Sequence, residues 1–375
     1  MFRTLIGKPP DVGMSRPRFA FIARNLFQAR RMAALCRAAS GVMVCRPKLA
    51  SELQDLGVNV ETWRWPWRFL DGQYPVLAMH GSYSGAMAHR KSKIAMIQYG
   101  YSKEPYNFGA WRAAADLILA YGPYAAEKFG VFAPVREVGY PQAALVKTQW
   151  RAPEKFKTGT RLRVLYAPTW GDLSSLDTVS AEVIALQKHH EVTVKLHHNT
   201  IAREPERMAA FADHQHLLAD PDQSLDAAIL ANDVIISDNS GAIFDAIFCQ
   251  RPVVLANGDP ELLAQARKSD PYSLEIAQRN AIGIQAPKGG LRDAVATAAH
   301  PDYAPEIGRD MLFSDVADPI AEMVVALEDL LNGHIHGTQM QTYTAGTLRK
   351  AARRNQNLSL LCIGLAILSV IALLL

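Results

Sequence analysis

The sequence lacks several patterns that would assign a function directly. Its four cysteines form no CxxC pair, which argues against a disulfide framework or a cysteine zinc site and favours a reducing compartment. Neither GxGxxG nor GxxxxGKS/T occurs, so dehydrogenase and P-loop hypotheses lose support. Charge of one sign is not in excess, because 40 Lys and Arg residues face 36 Asp and Glu residues. The near balance disfavours nucleic acid as a partner.

Long uncharged runs are also absent, with one exception at the C-terminus. Residues 358–375 carry no charge. As a helix they would span roughly 27 Å, close to a bilayer core of about 30 Å. The cations that precede this run are Arg349, Lys350, Arg353 and Arg354. Because flanking cations stay on the cytoplasmic side, we expect a single-pass transmembrane anchor in the inner (cytoplasmic) membrane, with the body of the protein in the cytoplasm. A buried C-terminal helix is the alternative.

The rest of the chain alternates short apolar runs with amphipathic stretches, which is typical of parallel sheets covered by helices on both faces. A length of 375 residues suggests about two domains. We expect two doubly wound, Rossmann-like α/β domains that face a cleft. The expected segments are a basic N-terminal arm at 1–17, a first Rossmann-like domain at 18–147, a linker at 148–160, a second Rossmann-like domain at 161–333 and a basic polar tether at 334–357.

In such sheets ligands bind at the carboxyl ends of the strands. In the first domain His80 follows the predicted strand Val76–Met79, and a histidine there can act as a general base. A structural histidine is the alternative. Tyr99, Gly100 and Lys103 follow the next predicted strand and are further candidates.

Three strand ends of the second domain also carry polar residues. Thr169 and Trp170 follow one strand, and His197 and Asn199 follow the next. The turn 237–241 (SDNSG) precedes an apolar helix, whose N-terminus would offer N–H groups and a positive dipole to phosphate. An ordinary capped helix is the alternative. We expect no metal site, because no third ligand accompanies the adjacent histidines of this segment.

Three motifs in this order resemble one known family. They are 164–170 (VLYAPTW), 195–199 (KLHHN) and 233–245 (DVIISDNSGAIFD), and they resemble the CDP-glycerol glycerophosphotransferases of the teichoic acid polymerase and primase type. The resemblance implies a GT-B fold. It also implies metal-independent transfer of glycerol phosphate from CDP-glycerol to a hydroxyl of a membrane-linked glycan or polyol phosphate, with no cofactor besides the donor substrate.

The resemblance also implies roles for individual residues. His197 matches a histidine that neutralises phosphate, and Lys103 with Gly100 matches an acceptor or phosphate contact. The expected donor-binding residues are Thr169, Trp170, Asn199, Ser237, Asp238, Asn239, Ser240, Gly241 and Asp245.

The sequence departs from the family pattern in two segments. In the first, Gln98 and Tyr99 stand where a tryptophan and a histidine are expected, and Lys103 arrives one residue early; in the second, the departure is Gly171. Tyr99 stands where the family has its catalytic histidine, so His80 becomes the expected base and Tyr99 the weaker candidate, since a phenol has a pKa of about 10. Gly171 stands where an arginine is expected.

The prediction is therefore a polyol-phosphate transferase of cell-envelope polymer synthesis, with a nucleotide-activated donor, a membrane-linked acceptor and no nucleic acid as partners. Two alternatives stay open. One is a nucleotide-sugar-dependent GT-B glycosyltransferase, and the other is a catalytically degenerate GT-B-like binding protein.

Overall fold

The computed structural model describes residues 16–155, 157, 160–256 and 260–374, with side chains up to residue 358. Nearly all of the predicted basic arm therefore lies outside the described residues. The chain divides into two compact units. The first contains the chain up to Tyr99, Ala110–Pro141 and the chain from Ser314 onward, and the second contains Gly100–Gly109 and Gln142–Phe313.

The first unit contains a parallel sheet with the strand order β3-β2-β1-β4-β5-β6-β7 in its described part. Its central strands read FAFI, VMVC and VLAM and are buried at every position. Such continuous apolar runs are what a sheet covered on both faces requires. The strands are β1 (Phe19–Ile22), β2 (Val42–Cys45), β3 (Asn59–Thr62), β4 (Val76–Met79), β5 (Lys93–Ile97), β6 (Leu117–Ala120) and β7 (Val135–Glu137).

The second unit contains a second parallel sheet, with the order β12-β11-β10-β8-β9. Its core lies between this sheet and the helices around it. The expected alternation of strands and helices in two parallel α/β units is confirmed. The strands are β8 (Arg163–Tyr166), β9 (Glu191–Val194), β10 (Val234–Ser237), β11 (Val253–Ala256) and β12 (Ile284–Ala286).

Helices cover both sheets, and short 3₁₀ turns connect several of them. The helices are α1 (Leu26–Ala38), α2 (Pro47–Ala50), α3 (Glu104–Asn107), α4 (Pro123–Phe129), α5 (Ala143–Gln149), α6 (Leu176–Leu186), α7 (His198–Arg203), α8 (Leu225–Ala231), α9 (Ala242–Phe248), α10 (Pro260–Ser269), α11 (Leu274–Ala277), α12 (Arg279–Ile282), α13 (Leu291–Ala298), α14 (Arg309–Leu312), α15 (Pro319–Asn332) and α16 (Gln339–Leu374). The 3₁₀ turns are Ser51–Leu56, Trp67–Leu70, Ala86–Ala88, Ala110–Ala114 and Pro205–Leu217.

The last two helices belong to the first unit. Lys93 at the start of β5 donates from Nζ to the carbonyl of Leu330 in α15 (2.7 Å). In α16, Arg349 donates from Nη2 to Asp116 Oδ1 (2.7 Å), and Arg353 donates to the carbonyl of His89 (2.9 Å). The arginines of α16 therefore bind groups of the first unit.

The prediction of a transmembrane helix over residues 358–375 is wrong. Within the part of the chain that the structure describes, no helix is long and apolar enough to cross a membrane. The apolar run continues α16, which begins at Gln339 and is polar through its first half. Arg349 and Arg353, expected to flank a lipid bilayer, instead contact protein. Membrane anchoring through this helix is not supported; the side chains from residue 359 onward lie outside the described residues.

A buried carboxylate, that of Asp233, binds the segment that leads into the second sheet. Asp233 lies between α8 and β10 with no exposed surface. Its Oδ2 accepts from the backbone N–H and the Nε of Arg163 (both 2.9 Å), and its Oδ1 accepts from Arg163 Nη2 (2.7 Å). Arg151 Nη1 (3.3 Å) and the backbone N–H of Glu154 (3.1 Å) bond to the same Oδ1. Asp233 therefore fastens the segment before β8 to the sheet.

Replacing Asp233 by alanine should destabilise the protein. Loss of the carboxylate leaves two backbone N–H groups and two guanidinium groups without their partner, so we expect the free energy of unfolding to fall by about 3 kcal/mol. Urea denaturation measures this loss. Asp302→Ala is the control, because the Asp302 side chain is 90% exposed beside His300. Equal stabilities of the two variants would contradict the structural role of Asp233.

Candidate functional site

The three motif loops of the second unit leave the same edge of its sheet. They follow β8, β9 and β10, which are parallel and lie in the order β10-β8-β9. Because the carboxyl ends of parallel strands share one edge, residues far apart in sequence come together there. The candidate site is built on this edge.

The Asp238 carboxylate holds two of these loops together. It is 1% exposed. Oδ1 accepts from the backbone N–H of Thr169 (2.8 Å) and of Asn239 (2.7 Å), and Oδ2 accepts from the N–H and the hydroxyl of Ser175 (2.8 and 2.9 Å). Burial raises the pKa of Asp238 even though these four bonds oppose the change. The carboxylate thus serves the protein by ordering the loop 169–175 against the turn after β10.

The other side chains of the turn 237–241 also bond within the protein. Ser237 donates from Oγ to the carbonyl of Ala167 (2.6 Å), and the Ser240 hydroxyl accepts from the N–H of Ala242 (3.3 Å) at the start of α9. The Asn239 amide donates to the carbonyl of Leu173 (3.2 Å). Gly241 directly precedes α9 and Asp245 lies half-buried within it. These bonds shape the turn; its contact with a donor stays a prediction.

Arg279 of α12 supports the same turn from the other side. It is 2% exposed, and its Nη1 donates to the Asp238 carbonyl (3.2 Å) and to Asn239 Oδ1 (2.9 Å). Burial lowers the pKa of Arg279 to about 10, while Asp238 and Glu275 oppose the change. The guanidinium is therefore still charged at neutral pH. Its position was missed by the sequence analysis, because α12 carries no recognisable motif.

His197 is a neutral imidazole in this structure. It caps α7, and its Nδ1 accepts from the N–H of Asn199 (3.1 Å), which places the proton on Nε2. Burial, followed by His198 and Lys103, lowers the pKa of His197 to about 3. At neutral pH it can offer a phosphate an N–H donor, but no positive charge.

Cations surround the aromatic stack next to His197. The ring of Trp170 lies 6.1 Å from the His197 ring in a stacked arrangement, and His198 stacks on His197 at 4.2 Å. Lys103 Nζ lies 6.0 Å from the Trp170 centroid, and the Arg203 guanidinium lies 5.4 Å from it. Positive charge and a stacking surface thus occur together.

Arg207 brings a further cation to the same loop. Its Nη1 donates to the carbonyl of Gly171 (2.9 Å), and it pairs with Asp177 (2.9 Å) and Glu204 (3.2 Å). Gly171 adopts the left-handed conformation (φ +77°), which favours glycine. Arg207 therefore lies beside Gly171, the position where the resemblance implies an arginine. No local sequence pattern predicts this contact, because the two residues are 36 positions apart.

The loop 100–104 belongs to the second unit and contacts this group. Lys103 donates from Nζ to Thr169 Oγ1 (3.4 Å), and its backbone N–H donates to Glu275 Oε1 (2.7 Å). Burial raises the pKa of Glu275 to about 7. Gly100 is half-buried at the start of the loop. Glu275 and Ser175 were also missed by the sequence analysis, because their partners are remote in sequence: Glu275 accepts the N–H of Lys103, and Ser175 donates to Asp238.

His80 and Tyr99 lie together in the first unit. Their rings meet edge to face at 5.5 Å, and His80 is 3% exposed while Tyr99 is half-buried. The Nδ1 of His80 faces the Gln98 carbonyl (3.2 Å), which also accepts from the Tyr121 hydroxyl (2.6 Å). Burial, followed by the charge of Arg31, lowers the pKa of His80 to about 3. His80 is thus neutral, with Nδ1 protonated.

The structure groups the predicted residues in two sets. Lys103, Thr169, Trp170, His197 and the turn 237–241 meet in the second unit, whereas His80 and Tyr99 meet in the first. Among residues with described side chains, no group of three His, Cys, Asp or Glu residues is arranged to hold a metal ion.

Comparison with known families bears on this arrangement. Residues 123–270 match the family described as CDP-Glycerol:Poly(glycerophosphate) glycerophosphotransferase. The predicted resemblance is confirmed. The glycerophosphotransferase match contains all three motif loops, and it supports the predicted class of enzyme, a CDP-glycerol-dependent transferase. No curated protein matches the chain.

Solved structures with the same architecture include two kinds of protein. The wall teichoic acid polymerase TagF matches with a TM-score of 0.51 and 13% identity, over 91% of this chain and 90% of that chain. A TagF variant soaked with CDPG matches with a TM-score of 0.52 and 12% identity, over 91% and 90%. MnaA from S. aureus, solved with UDP, matches with 0.54 and 13%, over 84% and 96%. At these identities the likeness shows the GT-B-like fold alone.

The low pKa of His80 predicts a pH dependence of stability. A histidine whose pKa falls from about 6.5 unfolded to about 3 folded binds its proton only after unfolding, so stability is complete above pH 6.5 and is lost as the pH falls. Each such group contributes up to about 1.4 kcal/mol per pH unit between these values. His80→Gln should therefore flatten the dependence of the free energy of unfolding on pH between about 5.5 and 4.

Urea denaturation of the parent and His80→Gln at several pH values measures this difference. The comparison cancels the titration of all other groups, including Glu275, whose raised pKa acts in the opposite direction. Parallel curves for the two proteins would show that His80 gains a proton equally well in the folded state.

Proposed function

We propose that this chain transfers glycerol phosphate, or a related polyol phosphate, from a CDP-activated donor to a hydroxyl group of a glycan or polyol-phosphate acceptor in envelope-polymer synthesis. One observation carries the proposal. The three motifs shared with the glycerophosphotransferase family lie at adjacent strand ends and contact one another through Asp238 and the Trp170–His197 stack.

The donor diphosphate is the group that this edge suits best. Lys103 and Arg203 supply positive charge, and neutral His197 supplies an Nε2–H donor. The ring of Trp170, which stacks on His197, offers a surface for the donor's nucleobase or for its polyol. Hydrogen-bond donors and cations that are already in place can stabilise the negative charge that develops on a leaving phosphate, because the protein does not have to reorganise during the reaction.

The reaction follows from this assignment. The acceptor oxygen attacks the β-phosphorus, the bond from that phosphorus to the bridging oxygen breaks, and CMP leaves with the electron pair. The acceptor's proton passes to a base. His80 is the proposed base, because Nε2 carries its lone pair and has no hydrogen-bond partner among the described residues.

The proposed donor predicts selective stabilisation of the full chain. CDP-glycerol, CDP-ribitol and CMP should raise the melting temperature, whereas UDP and UDP-GlcNAc should not. Differential scanning fluorimetry with each compound at 1,000 times an expected Kd would detect about 4 kcal/mol of linked stabilisation. Stabilisation by the UDP compounds alone would overturn the proposal in favour of a nucleotide-sugar enzyme.

The proposed role of His197 predicts a loss of turnover without a loss of fold. His197→Ala should lower kcat/KM for CMP release from CDP-glycerol, with a poly(glycerophosphate) acceptor, by about 100-fold, because one preorganised donor is removed. His189→Ala is the matched control, since His189 is exposed before β9 at the other edge of the sheet. Equal rates for both variants would remove His197 from the reaction.

A further inference from the structure

Glu275 is a buried carboxylate outside the family match, which ends at residue 270. It lies in α11 and is 1% exposed. Its Oε1 accepts the backbone N–H of Lys103 (2.7 Å), while its Oε2 is buried without a hydrogen-bond partner among the described residues. A carboxylate is seldom buried with one oxygen lacking a hydrogen bond, because its desolvation is costly. The arrangement therefore calls for a reason beyond packing.

The partner of Glu275 is held in a strained conformation. Lys103 has φ +56°, a left-handed conformation that a residue with a side chain seldom adopts. The next N–H, of Glu104, donates to the Ser273 hydroxyl (2.7 Å) on the same short segment. Two successive backbone groups of the loop are thus fixed by side chains around α11. The strain at Lys103 persists because these bonds oppose its release.

The backbone conformation of Lys103 sets the direction in which its side chain leaves the loop. With the backbone fixed, Nζ donates to Thr169 Oγ1 (3.4 Å) and lies 6.0 Å from the Trp170 centroid. Thr169 is itself held by Asp238. The same helical segment places Arg279, four residues after Glu275, on the turn after β10. One segment therefore supports two loops of the candidate site.

We propose that Glu275 is a positioning residue of the donor site: by holding the backbone of Lys103 in its left-handed conformation, it aims the Lys103 ammonium at the position of the donor's diphosphate. The inference rests on the proposed function for the identity of that ligand. The hydrogen bond between Glu275 and the loop does not depend on it.

Hydrogen exchange of the full chain without ligand tests the positioning step. Glu275→Ala should accelerate amide exchange in peptides that cover residues 100–109, and Glu275→Gln should not, since its amide oxygen can still accept the Lys103 N–H. Glu182→Ala is the matched control, because Glu182 accepts the backbone N–H groups of Gly289 (2.8 Å) and Leu291 (3.3 Å) in the same unit. Unchanged exchange in residues 100–109 of Glu275→Ala would overturn the proposal.

Calorimetric titration with CDP-glycerol tests the link to Lys103. Glu275→Ala should weaken binding about tenfold, the size of one lost hydrogen bond to a charged group, and Glu275→Gln should restore most of it. If Glu275 acts through Lys103, Glu275→Ala should change the Kd for CDP-glycerol less than twofold when Lys103 is already alanine. A change of that size is within the usual error of additivity. A double variant whose loss of affinity equals the product of the two single losses would overturn the inference.

The two experiments also separate this inference from the proposed function. If the parent protein fails to bind CDP-glycerol while Glu275→Ala still accelerates exchange in the loop, the proposed donor is wrong and the positioning of Lys103 is retained. If the parent binds CDP-glycerol and Glu275→Ala binds equally well, the donor stands and the role of Glu275 is refuted.

Discussion

The site depends on the Asp238 carboxylate more than on any other single group. Burial raises its pKa, and only the four hydrogen bonds to Thr169, Ser175 and Asn239 keep such a group compatible with the interior. Those bonds join a loop after β8 to a turn after β10. Because both carboxylate oxygens are used in this way, the carboxylate sets the course of the backbone around the site.

Charge and hydrogen bonding are divided among different residues at this edge. Neutral His197 orients itself through Asn199 and keeps one N–H to offer. The positive charge comes from Lys103 and from Arg203, which lie around the ring of Trp170. A neutral N–H donor beside fixed cations can stabilise negative charge that shifts between phosphate oxygens. No proton transfer to or from His197 is needed for this stabilisation.

Strand positions and motif loops are predictable from sequence because each is a local pattern. The apolar runs at β1, β4 and β10 predict buried strands, and the polar residues after β4 and β10 mark the strand ends where site residues are expected. Glu275 and Arg279 escape prediction, because their partners are backbone groups of remote loops. The C-terminal run misleads for the opposite reason. Its apolar composition predicts a transmembrane helix, whereas Arg349 and Arg353 before it hydrogen-bond to other residues of the folded chain.

The order of segments along the chain has a consequence for synthesis on the ribosome. Helix α15 lies against α1 and β5 of the first unit with Met323, Leu327 and Leu330 buried, yet the whole stretch Gln142–Phe313 precedes it. The strands of the first sheet thus emerge early but wait for a covering helix made after the second unit. An apolar face of the nascent first sheet therefore lacks this covering helix until the second unit has been synthesised, and exposed apolar surface of this kind is prone to aggregation.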